Sequence, residues 1–111
     1  MAYDTELADR MRRVIGAAPD VTEKKMFGGL AFLAGGNMAI AASSGGGAMV
    51  RADPGEGDAL VAAGRAALVE MRGRLMPGWL RVKSADLQED AQLTEWVNRG
   101  VGYARSLPAK R

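Results

Sequence analysis

Residues 26–50 read MFGGLAFLAGGNMAIAASSGGGAMV and carry no charged side chain. By count alone this run reaches the roughly 20 apolar residues that a membrane helix needs. It is interrupted, however, by Gly28, Gly29, Gly35, Gly36, Gly45, Gly46 and Gly47, with Asn37, Ser43 and Ser44 among them. These residues divide it into pieces of strand length joined by turn chemistry, so it reads as short buried strands and no membrane association is expected. The pattern predicts a strand from about Lys25 to Leu33 and a two-residue hairpin turn at Gly35-Gly36, between Ala34 and Asn37. On the returning strand Met38, Ile40 and Ala42 alternate. Ser43 to Gly47 makes a looser connection, and Ala48 to Ala52 completes a three-stranded antiparallel meander. Gly28 and Gly29 fall inside the first strand, which implies a bulge or a close backbone approach, with a ligand on exposed amides as the functional alternative.

Working outward, Leu7, Met11, Val14 and Ile15 recur at helical spacing from Asp4 to about Ile15, opposite Asp9, Arg10, Arg12 and Arg13. Gly16 and Pro19 end this amphipathic helix. After the meander, Asp53 is positioned as an N-cap, Pro54 as the first helical residue and Glu56 as a side chain able to reach back. Leu60 and Val61 face inward and Gly64 closes that short helix. Two more strands follow, Ala67 to Met71 and Trp79 to Ser84, joined through Gly73 and Pro77-Gly78. A long last helix starts with Asp86 as cap and Glu89 three residues on, carries Leu93, Trp96, Val97, Val101, Ala104 and Leu107 on one side, and stops at Pro108. Gly100 lies on its apolar face and implies close packing. The expectation is an α+β two-layer sandwich, a five-stranded antiparallel sheet with helices in the order α-β-β-β-α-β-β-α.

The chain has 111 residues, enough for one core and one domain over residues 1–111. It has no histidine and no cysteine, which removes disulfides, thiolate and imidazole metal sites, and every Ser-His or Cys-His catalytic arrangement. Asp53, Glu56, Asp86 and Glu89 have capping work, so no catalytic acid pair, cofactor or metal is expected. Gly45-Gly46-Gly47 lacks the Gly-Lys-Ser/Thr that would make it a phosphate loop. The seven methionines read as core filler. The N-terminus shows no secretory signal, and with no cysteine the cytoplasm is the expected compartment. Fifteen basic residues against thirteen acidic ones leave a formal charge of only +2. Its one basic concentration is Arg65, Arg72, Arg74, Arg81 and Lys83 against Glu70, and Arg72, Arg74, Arg81 and Lys83 are the candidate nucleic-acid contacts.

Several motifs together resemble the TfoX N-terminal domain family. They are Met26-Phe27-Gly28-Gly29-Leu30-Ala31-Phe32-Leu33, Gly36-Asn37-Met38-Ala39, Met49-Val50-Arg51, Met71-Arg72-Gly73-Arg74-Leu75-Met76-Pro77-Gly78-Trp79, and Trp96-Val97-Asn98-Arg99-Gly100 continuing to Pro108. The resemblance covers about Thr22 to Lys110 and is nearest to short stand-alone actinobacterial members. It implies a secretion-chaperone-like sandwich, and it relates the chain to a regulator of natural competence in which this domain precedes a second one. Met26, Phe27, Gly28, Gly29, Arg51, Arg74, Gly78 and Trp79 are its most distinctive residues, mainly structural ones, and the resemblance carries no catalytic set. No second domain is expected after Arg111, and the lack of histidine and cysteine adds to what the resemblance implies. The expected function is therefore a non-enzymatic regulatory or protein-interaction module, pairing with a protein partner or with itself as a homodimer. Nucleic-acid binding and a small-ligand site near Gly28 and Gly29 are the alternatives.

Overall fold

The computed structural model describes residues 3–26 and 28–109. Its elements run α1 (Thr5–Ile15), β1 (Val21–Met26), β2 (Gly29–Ala34), β3 (Asn37–Ala42), β4 (Ala48–Arg51), α2 (Pro54–Ala62), β5 (Ala67–Met71), β6 (Arg74–Val82), a 3-10 turn (Ser84–Leu87) and α3 (Asp90–Ser106). The six strands form one antiparallel sheet in the order β1-β2-β3-β4-β6-β5. The α+β sandwich is as expected, with one strand more than the sequence suggests.

The extra strand comes from the first piece of the uncharged run. The expected strand Lys25 to Leu33 is two strands, because the chain reverses at Gly28, whose φ is +77, and Met26 then pairs with Gly29. Gly29 is obligatory for a different reason. A Cβ there would lie 2.2 Å from the Ala42 carbonyl oxygen, so the hairpin closes onto β3 only without a side chain. The bulge expected in this strand occurs later, between Phe32 and Leu33. Phe27 lies outside the described residues.

The local signals at helix ends are partly rewired. Asp53 accepts from the N–H groups of Gly55 and Glu56 at 3.0 and 3.2 Å, as a cap should. Glu56 does not reach back; its carboxylate takes a bond from Arg99 on α3 at 2.9 Å. Asp86 does not cap the last helix either. It lies in the 3-10 turn, and α3 begins a turn later with Glu89, whose N–H donates to Gln92 at 3.3 Å. β6 begins at Arg74 and not at Trp79, since Arg72 and Gly73, both with positive φ, make the hairpin turn and Pro77-Gly78 sit within the strand. There the register jumps from Leu68↔Leu80 to Val69↔Met76, leaving Pro77 to Trp79 without partners on β5 while Trp79 stays opposite Arg51 and Gly78 accepts from the Ala52 N–H on the β4 side.

All three helices cover one face of the sheet. Leu7, Ala8 and Met11 of α1, Leu60 of α2 and Leu93, Trp96, Val97, Val101 and Ala104 of α3 bury against Leu30, Phe32, Ile40, Val50, Leu80 and Val82. Gly100 packs on the chain's own sheet, where a Cβ would stand 2.3 Å from the Ala39 carbonyl oxygen. β3 is buried along its whole length, which places the uncharged run at the centre of the molecule.

Candidate functional site

The second face of the sheet carries no helix among the described residues, yet it is apolar. Ala31, Met38 and Ala41 are buried there, with Met26, Leu33, Met49 and Trp79 packed against them. The alternation of β2, β3 and β4 dictates this, because residues opposite one another share a face: Ala31 faces Ala41, Ala41 faces Met49 and Arg51 faces Trp79. Met26 and Met38 line a cavity of about 220 Å³ together with Met49, Val69, Met71 and Arg81. Met26 belongs to one edge strand and Met71 to the other, so the sheet curls until both edges border one hollow. Val69, Glu70 and Met71 of the β5–β6 hairpin line the hollow from the β5 edge, and Val69 is only 2% exposed.

The basic residues divide between the ends of that hairpin. Arg74 pairs directly with Met71, and Arg81 with Met49, so both stand on the hollow's side. Arg72 occupies the turn, and Lys83 follows the last residue of β6, where it shares a shallow groove with Arg65, Arg81 and Asp86. The four candidate contacts thus form two pairs, one at each end of the hairpin, with Arg74 and Arg81 opposite Met71 and Ala67 and so about 13 Å apart along β5. Lys24, opposite Ala31, adds a cation at the far edge.

Arg51 is held differently. Its guanidinium carbon lies 4.5 Å from the Trp79 ring centroid and 5.6 Å from that of Tyr103 on α3, and its Nε is buried without a hydrogen-bond partner. Stacking on two rings ties the ends of β4 and β6 to the last helix. Gly78, beside Trp79, accepts from the Ala52 N–H at 2.7 Å and continues this join.

Among the described residues most arginines on the helix side are ion-paired, Arg13 being the exception. Arg10, Arg12, Arg65, Arg99 and Arg105 each pair with an acid, Asp90, Asp9 and Glu23, Glu95, Glu56 and Glu95, and Asp20 respectively. These pairs bind the helices to one another and to the β1 side. They hold the Asp20, Glu23 and Glu95 carboxyls below the usual carboxylate range, Glu95 at about 2 through hydrogen bonds from Arg65 and then Arg99. Acids so placed are structural anions and not proton donors near neutrality. No acid lies within ion-pair distance of Lys24, Arg51, Arg72, Arg74 or Arg81 among the described residues, and no group of three or more acidic side chains is placed to hold a metal there. Among the described residues the only acid bordering the hollow is Glu70.

The methionines bear out the sequence reading in part. Met11 and Met38 are buried core residues, whereas Met26, Met49 and Met71 are half-buried, and these three with Met38 line the hollow on the uncovered face. Alternation along a strand shows that both faces are apolar without showing which one the helices leave open. The Gly28 and Gly29 positions border this same face at its β1–β2 corner, and Gly29 lines the hollow. No curated protein matches the chain. The family model for the TfoX N-terminal domain matches residues 13–104, from the end of α1 to the last turns of α3, so it takes in the whole sheet, its hollow and the Arg51 join. The chain belongs to the TfoX N-terminal domain family.

Proposed function

We propose that this domain is a non-enzymatic regulatory binding module that acts in the cytoplasm, and that its working surface is the hollow, helix-free face of the sheet. One observation carries the proposal. Four methionines are gathered beside cations that have no acid partner among the described residues, whereas five of the helix-side arginines, Arg10, Arg12, Arg65, Arg99 and Arg105, are held in internal ion pairs. Thioether side chains adapt to irregular apolar partners, and a half-buried methionine cluster is a recurrent binding-surface chemistry. A protein partner suits it better than nucleic acid. Base stacking needs an open aromatic platform, and Trp79, the aromatic residue packed on this face, already has Arg51 stacked over its ring.

The test is affinity capture from a lysate of the native host with the wild-type domain, with Met71→Asp, with the double variant Arg74→Glu and Arg81→Glu, and with Arg13→Glu on α1 as control. Met71 is half-buried and the three arginines are exposed, so these changes leave the core intact. The expected result is a partner retained by wild type and the α1 variant and lost by both face variants. Retention by all four proteins would refute the assignment of the face.

A further inference from the structure

We infer that the hollow face receives an acidic amphipathic segment of a partner protein, two or three apolar side chains entering between the methionines while carboxylates meet Arg74 and Arg81. This rests on the reading of the face given above and adds the chemistry of what it takes. Three properties of the hollow select that occupant. Its volume of about 220 Å³ is below the roughly 300–1,000 Å³ of pockets that enclose a small-molecule ligand, so it suits a few inserted side chains better than a cofactor. Its wall is apolar and deformable, with Met26, Met38, Met49 and Met71 contributed by β1, β3, β4 and β5, and such walls take apolar anchors without demanding one shape. Its borders are cationic, Arg74 at one end of the β5–β6 hairpin and Arg81 at the other, against the single acid Glu70.

That charge decides between the possible occupants. A second copy laid face to face would bring together two faces with the same cationic excess, Arg74, Arg81 and Lys24 against Glu70 on each, and like charge on both sides of an interface opposes association. Nucleic acid would satisfy the arginines and leave the methionines facing phosphate or sugar, with no free ring for a base among the described residues. An acidic segment with apolar anchors satisfies both parts. Arg74 pairs with Met71 and Arg81 with Ala67, four residues apart on β5, so the two arginines are about 13 Å apart along the hairpin, which corresponds to about four residues of extended chain or about nine of helix.

The probe is a fluorescein-labelled peptide of about fifteen residues, long enough for either conformation, with Leu and Phe at helical spacing and Asp or Glu elsewhere. Its comparisons are the same peptide with Lys for every acid, the same peptide with Ser for every Leu and Phe, and labelled single-stranded and duplex DNA. Binding is read by fluorescence anisotropy at physiological salt. The acidic amphipathic peptide is expected to bind, with the Lys and Ser peptides at least about tenfold weaker and the Arg74→Glu, Arg81→Glu double variant weakened by a similar factor. In a spectrum of methyl-labelled methionines the peptide should move the signals of Met26, Met38, Met49 and Met71 and leave that of Met11, which lies beneath the helices. Tighter binding of the Lys peptide or of DNA, equal binding of the Ser peptide, or movement of Met11 alone overturns the inference. No binding of the acidic peptide also overturns it, and if the face variants still lose their partner in the capture experiment, the face stands and only the chemistry assigned to its occupant falls.

Discussion

Gly100→Ala and Gly102→Ala place the same methyl group two residues apart on α3, and the structure assigns them opposite signs. In an exposed helix interior, glycine to alanine gains about 1 kcal/mol. Gly102 has nothing within 4 Å of the position a Cβ would take, so the full gain is expected there. At Gly100 the new Cβ would stand 2.3 Å from the Ala39 oxygen and 3.0 Å from its carbonyl carbon, both backbone atoms of a central strand. Ordinary contact begins at 3.4 Å, so α3 and β3 must separate by about 1 Å, and Val50 at 3.3 Å also has to yield. Overpacking of this kind costs about 1–3 kcal/mol, and since the obstruction is backbone the upper part of that range applies. Set against the propensity gain, the net loss is about 1–2 kcal/mol. For a domain of this size that lowers Tm by about 4–8 °C, while Gly102→Ala raises it by about 4 °C. Thermal unfolding followed by circular dichroism, with urea unfolding alongside, separates the two. A Gly100→Ala protein as stable as wild type would show that α3 is not seated on β3 as described.

Three further outcomes follow from the same geometry. Asp53→Ala removes the acceptor of the Gly55 and Glu56 N–H groups at the start of α2 and should cost about 1 kcal/mol in urea unfolding; no change would mean that the cap is idle. Arg51→Lys keeps the charge but loses the planar stack on Trp79 and Tyr103, and about 1 kcal/mol of stability should go with it, read from the same unfolding curves, whereas equal stability would show that the rings do not hold the guanidinium. Glu95, whose folded carboxyl is lowered to about 2 by Arg65 and Arg99, stabilises the fold above its ordinary value of 4.5 and loses that contribution as pH falls toward 2. Its side chain keeps 42% exposure, so solvent screening limits the gap between wild type and Glu95→Gln at pH 7 to about 0.5–1 kcal/mol. That gap should close between pH 5 and pH 2 in unfolding measurements, and a gap constant over this range would place the contribution elsewhere.

What was legible in the sequence follows from how local each signal is. Gly35-Gly36, the Asp53-Pro54 helix start, the Gly16 stop and the strand Ala67–Met71 depend on neighbours in the chain, and they stand where the residues put them. The reversal at Gly28 was hidden because Met26 to Leu33 is apolar throughout, and a run without polar punctuation looks like one strand. Gly29 reads as a defect until β3 is laid beside it, and only then does the Ala42 carbonyl explain the missing side chain. Asp86 and Glu89 mimic a capping box one turn ahead of the one that forms between Glu89 and Gln92, an ambiguity inherent in two capping-box spacings that overlap at Glu89. For the candidate site, the basic residues were visible but their grouping was not, since Arg74 and Arg81 share a face only through pairing with Met71 and Met49. The methionine hollow was illegible for a related reason. It depends on which face the helices leave uncovered, and that is settled by packing across the whole chain.

The absence of any cysteine from the sequence allows the central claim to be tested at single positions. One cysteine at a time, Met71→Cys and Arg74→Cys beside the hollow and Arg13→Cys and Gly102→Cys on the helix side, carries a photo-activated cross-linker into a lysate of the native host. Adducts of one common mass from positions 71 and 74, absent from 13 and 102, are the predicted result. Adducts from the helix-side positions with none from the hollow would contradict the claim that the helix-free face is where this domain binds.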